Sequence, residues 1–233
     1  MTATESLRKS LTPEVFASYV DSAFLKPGSA YADYERHCRE AEKYRFRMVA
    51  ILCGPVKICK QALAGSKVRV GGAVGFPLGI ITKETKLFET LEAIKNGADD
   101  IDYVINLTEM KEKNYKYIEQ EMADIVDACR KHNVISKVIV ENCYLTDQEK
   151  KEICRIAVEI RPDFLKTSTG FGPSGAVESD VLLMKKELGD KVKVKASGGL
   201  RDLDTTLLMI ASGAECIASS YAGKIMEEFL SRM

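Results

Sequence analysis

The sequence predicts an α/β fold, a single-domain TIM-type (β/α)8 barrel. Short β-branched apolar runs alternate with longer stretches of helical spacing, and about eight such strand–helix units follow one another without a long linker. An open doubly wound sheet is the alternative, but no G-x-G-x-x-G motif opens a helix after the first strand. We expect one domain over residues 1–233, with residues 1–17 forming an N-terminal helical extension.

Eight apolar runs are predicted as strands because each is short and rich in β-branched residues. They span 18–25, 47–53, 68–76, 100–106, 136–142, 163–168, 191–197 and 215–220. Amphipathic stretches between them predict helices, among them 84–97, 115–133 and 146–160. Thr146, with Glu149 three residues later, marks a helix start, and Gly97 and Gly213 mark helix ends.

The composition limits the class of protein. Hydrophobic residues make up 45% and charged residues 29%, which predicts a folded chain. Basic and acidic residues balance at 34 each, so nucleic acid and membrane are not expected as partners. Seven cysteines without paired C-x-x-C motifs fit reduced thiols, and no run reaches the ~18 apolar residues of a membrane span. We expect a cytoplasmic protein.

Polar residues at the predicted strand ends are the candidates for a functional site, because barrel active sites form at the C-terminal ends of the strands. They are Asp21, Asp102, Asn106, Lys137, Glu141, Lys166, Thr167, Ser168, Lys195 and Ser197. The two histidines, His37 and His132, lie in polar helical segments and are expected on the surface. A histidine-dependent catalytic triad and a histidine-rich metal cluster are therefore not expected, and we predict no metal site.

Three successive strands each offer a lysine near the barrel mouth, and Lys166 lies in the segment "DFLKTSTG". A neutral amine is a nucleophile, whereas an ammonium group is not. Burial and a nearby Lys195 would lower the pKa of Lys166, and Asp102 could then move protons. Alternatively, lysines at strand ends are solvated or paired with neighbouring carboxylates.

Two glycine- and serine-containing segments follow the seventh and eighth strands. They read "KASGGLRD" (195–202) and "IASSYAGK" (217–224). Gly198 and Gly199 permit close approach of the backbone, and Ser219 and Ser220 could add hydroxyl groups at the next helix start. Two such segments after the last strands of a barrel predict a cup for a phosphate group.

The segments "DFLKTSTGFGPSGA" (163–176), "VKASGGLRD" (194–202) and "NGADDIDYVIN" (96–106) carry a family resemblance. Together with "VGFPLG" (74–79) and "KVIVENCYLT" (137–146), they make the chain resemble the deoxyribose-phosphate aldolase family from about residue 20 to 220. The resemblance implies a cofactor-free class I aldolase that reversibly cleaves 2-deoxy-D-ribose 5-phosphate to acetaldehyde and D-glyceraldehyde 3-phosphate. It also implies a role in deoxyribonucleotide catabolism and carbohydrate degradation, and a homodimer or higher homo-oligomer.

The resemblance also implies residue roles. Lys166 would form the Schiff base, Lys195 would lower its pKa, and Asp102 would act with Lys195 as a proton relay. It implies that Lys137 contacts the sugar and that Gly198, Gly199 and Ser220 belong to the phosphate cup. We expect Asp21, Thr169 and Ser219 to bind the substrate with them.

Three positions depart from the family pattern. Ala23 stands where a threonine is expected, Ala218 replaces a glycine of the phosphate segment, and Tyr221 replaces its second serine. Two alternatives therefore stay open. One is a related lysine-dependent aldolase with a different or non-phosphorylated substrate; the other is an inactive, ligand-binding barrel.

Overall fold

Eight parallel strands close into a barrel in sequential order, as the sequence predicts. The structure is a computed structural model, and it describes residues 3–233. The strands are β1 (Val20–Ala23), β2 (Met48–Leu52), β3 (Arg69–Val74), β4 (Asp100–Val104), β5 (Ile135–Ile139), β6 (Phe164–Lys166), β7 (Lys193–Ser197) and β8 (Cys216–Ser219). Each lies inside the corresponding predicted run except β5, which begins one residue earlier.

Helices connect the strands and surround the barrel. They are α1 (Ala3–Ser10), α2 (Pro13–Ser18), α3 (Tyr31–Tyr44), α4 (Val56–Ala62), α5 (Lys83–Lys95), α6 (Leu107–Lys111), α7 (Tyr115–Lys131), α8 (Asp147–Ile160), α9 (Glu178–Leu188), α10 (Leu203–Ala211) and α11 (Ala222–Ser231). Helices α1 and α2 precede β1, and Met1 and Thr2 of the predicted extension lie outside the described residues. Within residues 3–233, no helix combines the length and the apolarity that crossing a membrane requires.

The predicted helix signals are present at both kinds of helix end. Thr146 and Glu149 form a reciprocal capping box at the start of α8, with Glu149 accepting from the Thr146 amide at 2.7 Å. Gly97 and Gly213 follow the last residues of α5 and α10 at φ values of +102° and +107°, which an L side chain rarely adopts. These local signals fix where each helix begins and ends.

The barrel has an apolar outer layer and a charged interior. Residues alternate along a strand, so Ile101 and Tyr103 of β4 pack against the helices. The inward-facing carboxylate of Asp102 lies in direct register with Lys137 on β5. Lys166 and Lys195 are likewise register partners on β6 and β7. The strand register thus gathers cations and carboxylates inside the barrel.

Candidate active site

Lys166, Lys195 and Asp102 meet inside the barrel. The Nζ atom of Lys166 lies 2.9 Å from Oδ2 of Asp102, and the Nζ atom of Lys195 lies 2.6 Å from the same oxygen. All three are buried, and Lys166 is 3% exposed. Lys166 lines the large cavity at the barrel mouth, whereas Lys195 and Asp102 lie behind it. One amine therefore faces the cavity, and the carboxylate that it contacts is shared with a second lysine behind it.

Burial lowers the pKa of Lys166 from its ordinary 10.5 to about 8. The Asp102 carboxylate opposes this change, while the ammonium group of Lys195 adds to the lowering. At pH 7 a pKa of 8 leaves about one amine in ten neutral, against about one in three thousand at 10.5. The pKa of Lys166 is therefore lowered, as the sequence analysis predicts, although burial lowers it more than Lys195 does.

The two groups behind Lys166 keep opposite charges. Burial alone would lower the pKa of Lys195, but Asp102 and Asp21 raise it above its usual range. Burial alone would raise the pKa of Asp102, but Lys137, Lys166 and Lys195 hold it well below its usual range. Lys195 therefore stays cationic and Asp102 anionic under the conditions in which Lys166 loses its proton.

Asp21 and Lys137, which we expected to contact substrate, lie deeper in the barrel. Oδ2 of Asp21 is 2.6 Å from Nζ of Lys195, and Nζ of Lys137 is 3.0 Å from Oδ1 of Asp102. Both side chains are fully buried, and neither lines the cavity. The structure places them below the cavity and not in its wall. They instead contact Lys195 and Asp102. The sequence pattern indicates which side chains face the barrel interior, but it does not indicate how far below the cavity each of them lies.

Arg47 and Asp100 complete this charged interior, and the sequence analysis did not select them. Arg47 donates to Asp21 at 2.7 Å and to Asp100 at 2.9 Å, and Lys137 also forms an ion pair with Asp100. Arg47 immediately precedes β2 and Asp100 opens β4. Both residues stand at the first position of a predicted apolar run, and a charge at that position is the sequence signal that could have identified them.

A cavity of about 540 Å³ opens at the C-terminal ends of the strands. Its wall includes the end of β8 and residues of the loops after β6, β7 and β8, namely Thr169, Gly170, Gly198, Gly199, Ser219 and Ser220. The structure therefore gathers the predicted cup residues around the same cavity as Lys166. The amide groups of Gly170, Gly198 and Gly199 donate to no acceptor in residues 3–233. These three donors are available to a bound anion.

Glycine is required where the loops after β6 and β7 touch. A Cβ atom on Gly175 would lie 2.2 Å from the carbonyl oxygen of Gly198, so no larger side chain fits. Gly198 has a φ value of +82°, and the Ala176 amide donates to its carbonyl at 3.1 Å. The two loops form one continuous wall of the cavity.

Two hydroxyl groups predicted to bind substrate already have protein partners. Ser219 Oγ donates to the Leu200 carbonyl at 2.6 Å and accepts from the Tyr221 amide at 2.9 Å. Thr169 Oγ1 donates to Glu141 and accepts from the Phe171 amide at 3.0 Å. Ser220 is exposed at the cavity wall. Ser219 and Thr169 therefore shape the cavity, and Ser220 is the hydroxyl that remains available.

Lys26, Arg201 and His37 also line the cavity, although sequence reasoning did not assign them to the site. His37 differs from the expected surface position: its ring stacks on Phe24 at 5.1 Å, and its Nε2–H donates to the Ser22 carbonyl at 3.1 Å. His37 reaches the cavity from helix α3, so no strand-end pattern could reveal it. His132 is exposed, as expected.

The three departures from the family pattern all lie at the cavity. Ala23, Ala218 and Tyr221 are among its lining residues. The Tyr221 ring is 43% exposed, and its centroid lies 5.8 Å from the guanidinium carbon of Arg201. Tyr221 thus places an aromatic face, instead of a small hydroxyl, beside a cation at the start of α11.

Relatives of known family match nearly the whole chain. Residues 17–223 match the family model described as DeoC/LacD family aldolase. The deoxyribose-phosphate aldolase of Lactobacillus acidophilus is 50% identical over 222 residues, which are 95% of this chain and 94% of that protein. The deoxyribose-phosphate aldolase of Bacteroides thetaiotaomicron is 48% identical over 219 residues, covering 94% of this chain and 92% of that protein.

Solved structures give the same assignment. The aldolase QR15 superposes with a TM-score of 0.87 at 37% identity, covering 92% of this chain and 95% of its own. The deoxyribose-phosphate aldolase of Aeropyrum pernix superposes with a TM-score of 0.91 at 28% identity, covering 99% of this chain and 98% of its own. With a closed eight-stranded barrel and these matches over nearly its full length, the chain belongs to the DeoC/LacD family of aldolases.

Proposed function

We propose that the protein is a class I aldolase that reversibly cleaves 2-deoxy-D-ribose 5-phosphate to acetaldehyde and D-glyceraldehyde 3-phosphate. The observation that carries this proposal is Lys166, a buried amine with a pKa of about 8 that lines the cavity beside Asp102 and Lys195. The names of the most similar relatives support the same substrate.

In the proposed reaction, the neutral Nζ of Lys166 attacks the C1 aldehyde of the open-chain sugar. The carbinolamine loses its oxygen as water and becomes a protonated imine. A base removes the proton of the C3 hydroxyl, the C2–C3 bond breaks, and its electron pair passes to the imine as an enamine. D-Glyceraldehyde 3-phosphate leaves, the enamine takes a proton at C2, and water releases acetaldehyde and the amine.

We assign the proton transfers to Asp102 and Lys195. Oδ2 of Asp102 lies 2.9 Å from Nζ of Lys166, which is hydrogen-bonding distance for accepting the proton that the attacking amine loses. Lys195 donates to the same oxygen at 2.6 Å and keeps the carboxylate anionic between transfers. Asp21 and Lys137 contribute by holding Lys195 and Asp102 in place, since both lie within ion-pair distance of them.

We assign phosphate binding to the far wall of the cavity. The amides of Gly170, Gly198 and Gly199 have no protein acceptor in residues 3–233, and Lys26 and Arg201 supply positive charge on the same cavity. Helix α11 begins at Ala222, two residues after Ser220, so the positive end of its dipole is close by.

A second candidate is an aldolase with the same imine chemistry and a different or non-phosphorylated substrate. It is favoured by Ala218, whose Cβ occupies a position at which a glycine would leave room, and by Tyr221, which lines the cavity where the family pattern has a serine. Comparing kcat/KM for deoxyribose and for its 5-phosphate separates the two. An advantage of at least about tenfold for the phosphate supports the first proposal, and equal values favour the second candidate.

Reductive trapping tests the chemistry itself. Incubation with acetaldehyde and borohydride is expected to add one ethyl group to Lys166, located by peptide mapping, and the Lys166→Met variant should remain unmodified. An unmodified wild-type protein that nevertheless binds the sugar phosphate would point to the inactive, ligand-binding barrel.

We further propose that the chain forms a homodimer or a higher homo-oligomer and works in the cytoplasm, in deoxyribonucleotide catabolism. The Aeropyrum pernix relative is described as a tetramer, and this supports self-association. Sedimentation velocity at several protein concentrations tests the assembly, and a monomer at all of them would refute it.

A further inference from the structure

Glu141 lies two residues after the end of strand β5, in a backbone conformation that is rare for its residue type. Its φ and ψ angles are +50° and +63°, the left-handed region that disfavours residues with a Cβ atom. The chain continues into a single 3₁₀ turn over Asn142–Tyr144. A non-glycine residue held in this conformation must be constrained by its surroundings, and its side-chain contacts show how.

The Glu141 carboxylate is buried without a cation. Glu141 is 2% exposed, and it forms no ion pair within residues 3–233. Its hydrogen-bond donors are the amide of Thr169, at 3.2 and 3.3 Å from the two oxygens, the Thr169 hydroxyl, and the Cys143 thiol at 3.7 Å. Burying an anion is costly unless donors satisfy it, so the contact with Thr169 is the reason that the charge is tolerated.

Thr169 belongs to the segment that follows Lys166, and hydrogen bonds to residues 140–142 hold this segment in place. The Lys166 carbonyl accepts from the Val140 amide at 3.0 Å, and the Thr167 carbonyl accepts from the Asn142 amide at 2.8 Å. Glu141, between these two donors, takes the amide and hydroxyl of Thr169. The β5 end therefore determines the path of residues 166–169.

The same contact reaches the cavity wall. Thr169 Oγ1 accepts from the Phe171 amide, and Thr169, Gly170 and Phe171 all line the cavity. A Cβ atom on Gly198 would lie 3.1 Å from the Cα atom of Gly170, so the backbones of these two glycines pack closely. One carboxylate outside the cavity lining thus fixes the segment that joins Lys166 to the proposed phosphate donors.

We propose that Glu141 is a positioning residue for the aldol reaction. Its carboxylate holds the Thr169 amide and hydroxyl, so that Lys166 and the free amide of Gly170 keep one fixed separation. The sugar is attacked at one end and bound through phosphate at the other, so this separation sets the alignment of its C1 with the amine. The inference rests on the proposed function.

A glutamine at position 141 tests this role at nearly constant shape. It offers one acceptor oxygen, and its amide donors face the donors of Thr169. Because a small misplacement of a reacting group can cost about a hundredfold in rate, we expect Glu141→Gln to lower kcat for the sugar phosphate at least about tenfold. The pH midpoint of imine formation should stay unchanged, because Glu141 does not touch Lys166.

Glu149→Gln is the matched control. Glu149 also accepts from a threonine amide and hydroxyl, those of Thr146 at 2.7 and 2.9 Å, but it caps α8 and does not contact the cavity segment. We expect this variant to keep the wild-type kcat while losing stability. If the substitutions acted only through a general loss of stability, kcat would fall alike in both variants. A positioning role lowers kcat only in Glu141→Gln.

Thr169→Val removes the hydroxyl from the other side of the contact. It should lower kcat to a similar degree, and combining it with Glu141→Gln should cause little further loss. If Glu141→Gln does not fold, the drop in Thr169→Val relative to Glu149→Gln decides the question. A kcat within twofold of wild type for Glu141→Gln, or an equal drop in Glu149→Gln, would overturn the inference. Absence of ethyl labelling on wild-type Lys166 would instead refute the proposed function.

Discussion

Lys166 and Lys195 are register partners on neighbouring strands and donate to the same carboxylate oxygen, Oδ2 of Asp102. Their surroundings nevertheless move their pKa values in opposite directions, down to about 8 for Lys166 and above the usual range for Lys195. Lys195 has a second carboxylate, Asp21, at 2.6 Å, whereas within residues 3–233 Lys166 forms an ion pair with Asp102 alone. This difference selects which lysine can become a neutral nucleophile.

Replacing Lys195 by leucine should raise the pKa of Lys166. The substitution removes a cation that lowers this pKa and leaves Asp102, which raises it. The midpoint of the pH profile of imine trapping should therefore move above 8, towards the ordinary 10.5, and the trapping rate at pH 7 should fall. An unmoved midpoint would mean that burial alone lowers the pKa.

Replacing Asp102 by asparagine should shift the same midpoint in the other direction. The carboxylate raises the pKa of Lys166, so its removal should bring the midpoint below 8. Cleavage should nonetheless slow by about 10² to 10⁴-fold, because the group that exchanges protons with Nζ is lost. Steady-state kinetics and trapping on one preparation test both effects, and a raised midpoint would contradict the assigned electrostatics.

Lys166 should make the stability of the protein depend on pH. Its pKa is about 8 in the folded protein and near 10.5 when unfolded, so between these values the unfolded chain binds more protons. The free energy of unfolding should therefore rise with pH across this window, by about 3 kcal/mol from this group. Urea unfolding at pH 8, 9 and 10 should show this rise in wild type and a weaker one in Lys166→Met. If the free energy of unfolding changed with pH to the same extent in both proteins, Lys166 would not be a buried amine with a lowered pKa.

Widening the phosphate cup should increase the preference for a phosphorylated substrate. In Ala218→Gly/Tyr221→Ser, the Cβ at 218 and the ring at 221 are removed, and a hydroxyl becomes available beside Ser220. One additional hydrogen bond to a charged group contributes about 1.5–3 kcal/mol. The ratio of kcat/KM for deoxyribose 5-phosphate to that for deoxyribose should therefore rise by about tenfold or more. A ratio equal to that of wild type would show that neither residue restricts the cup.

The strand count and the central charges follow from local sequence. Short apolar runs rich in β-branched residues predict β1 to β8, and a lysine followed by "TSTG" predicts Lys166 at a strand end. The depth of each inward side chain does not follow from alternation. Asp21 is not in the cavity lining although Ala23 of the same strand is, and Lys137 pairs with Asp100 below the cavity.

Residues that approach the site from outside the strands were also beyond sequence reasoning. His37 comes from the face of α3, and Lys26 and Arg201 come from the loops after β1 and β7. Their side chains reach the cavity through packing between distant segments, such as the stack of His37 on Phe24. No spacing pattern within one segment encodes such contacts.

The pH profile of imine formation at Lys166 tests the central claim most directly. Acetaldehyde and borohydride are applied at a series of pH values, and the fraction of Lys166-containing peptide that carries an ethyl group is measured. We predict labelling at Lys166 with a midpoint near pH 8. A midpoint near 10.5, or labelling that occurs on another lysine, would contradict the assignment of Lys166 as the buried, neutral nucleophile.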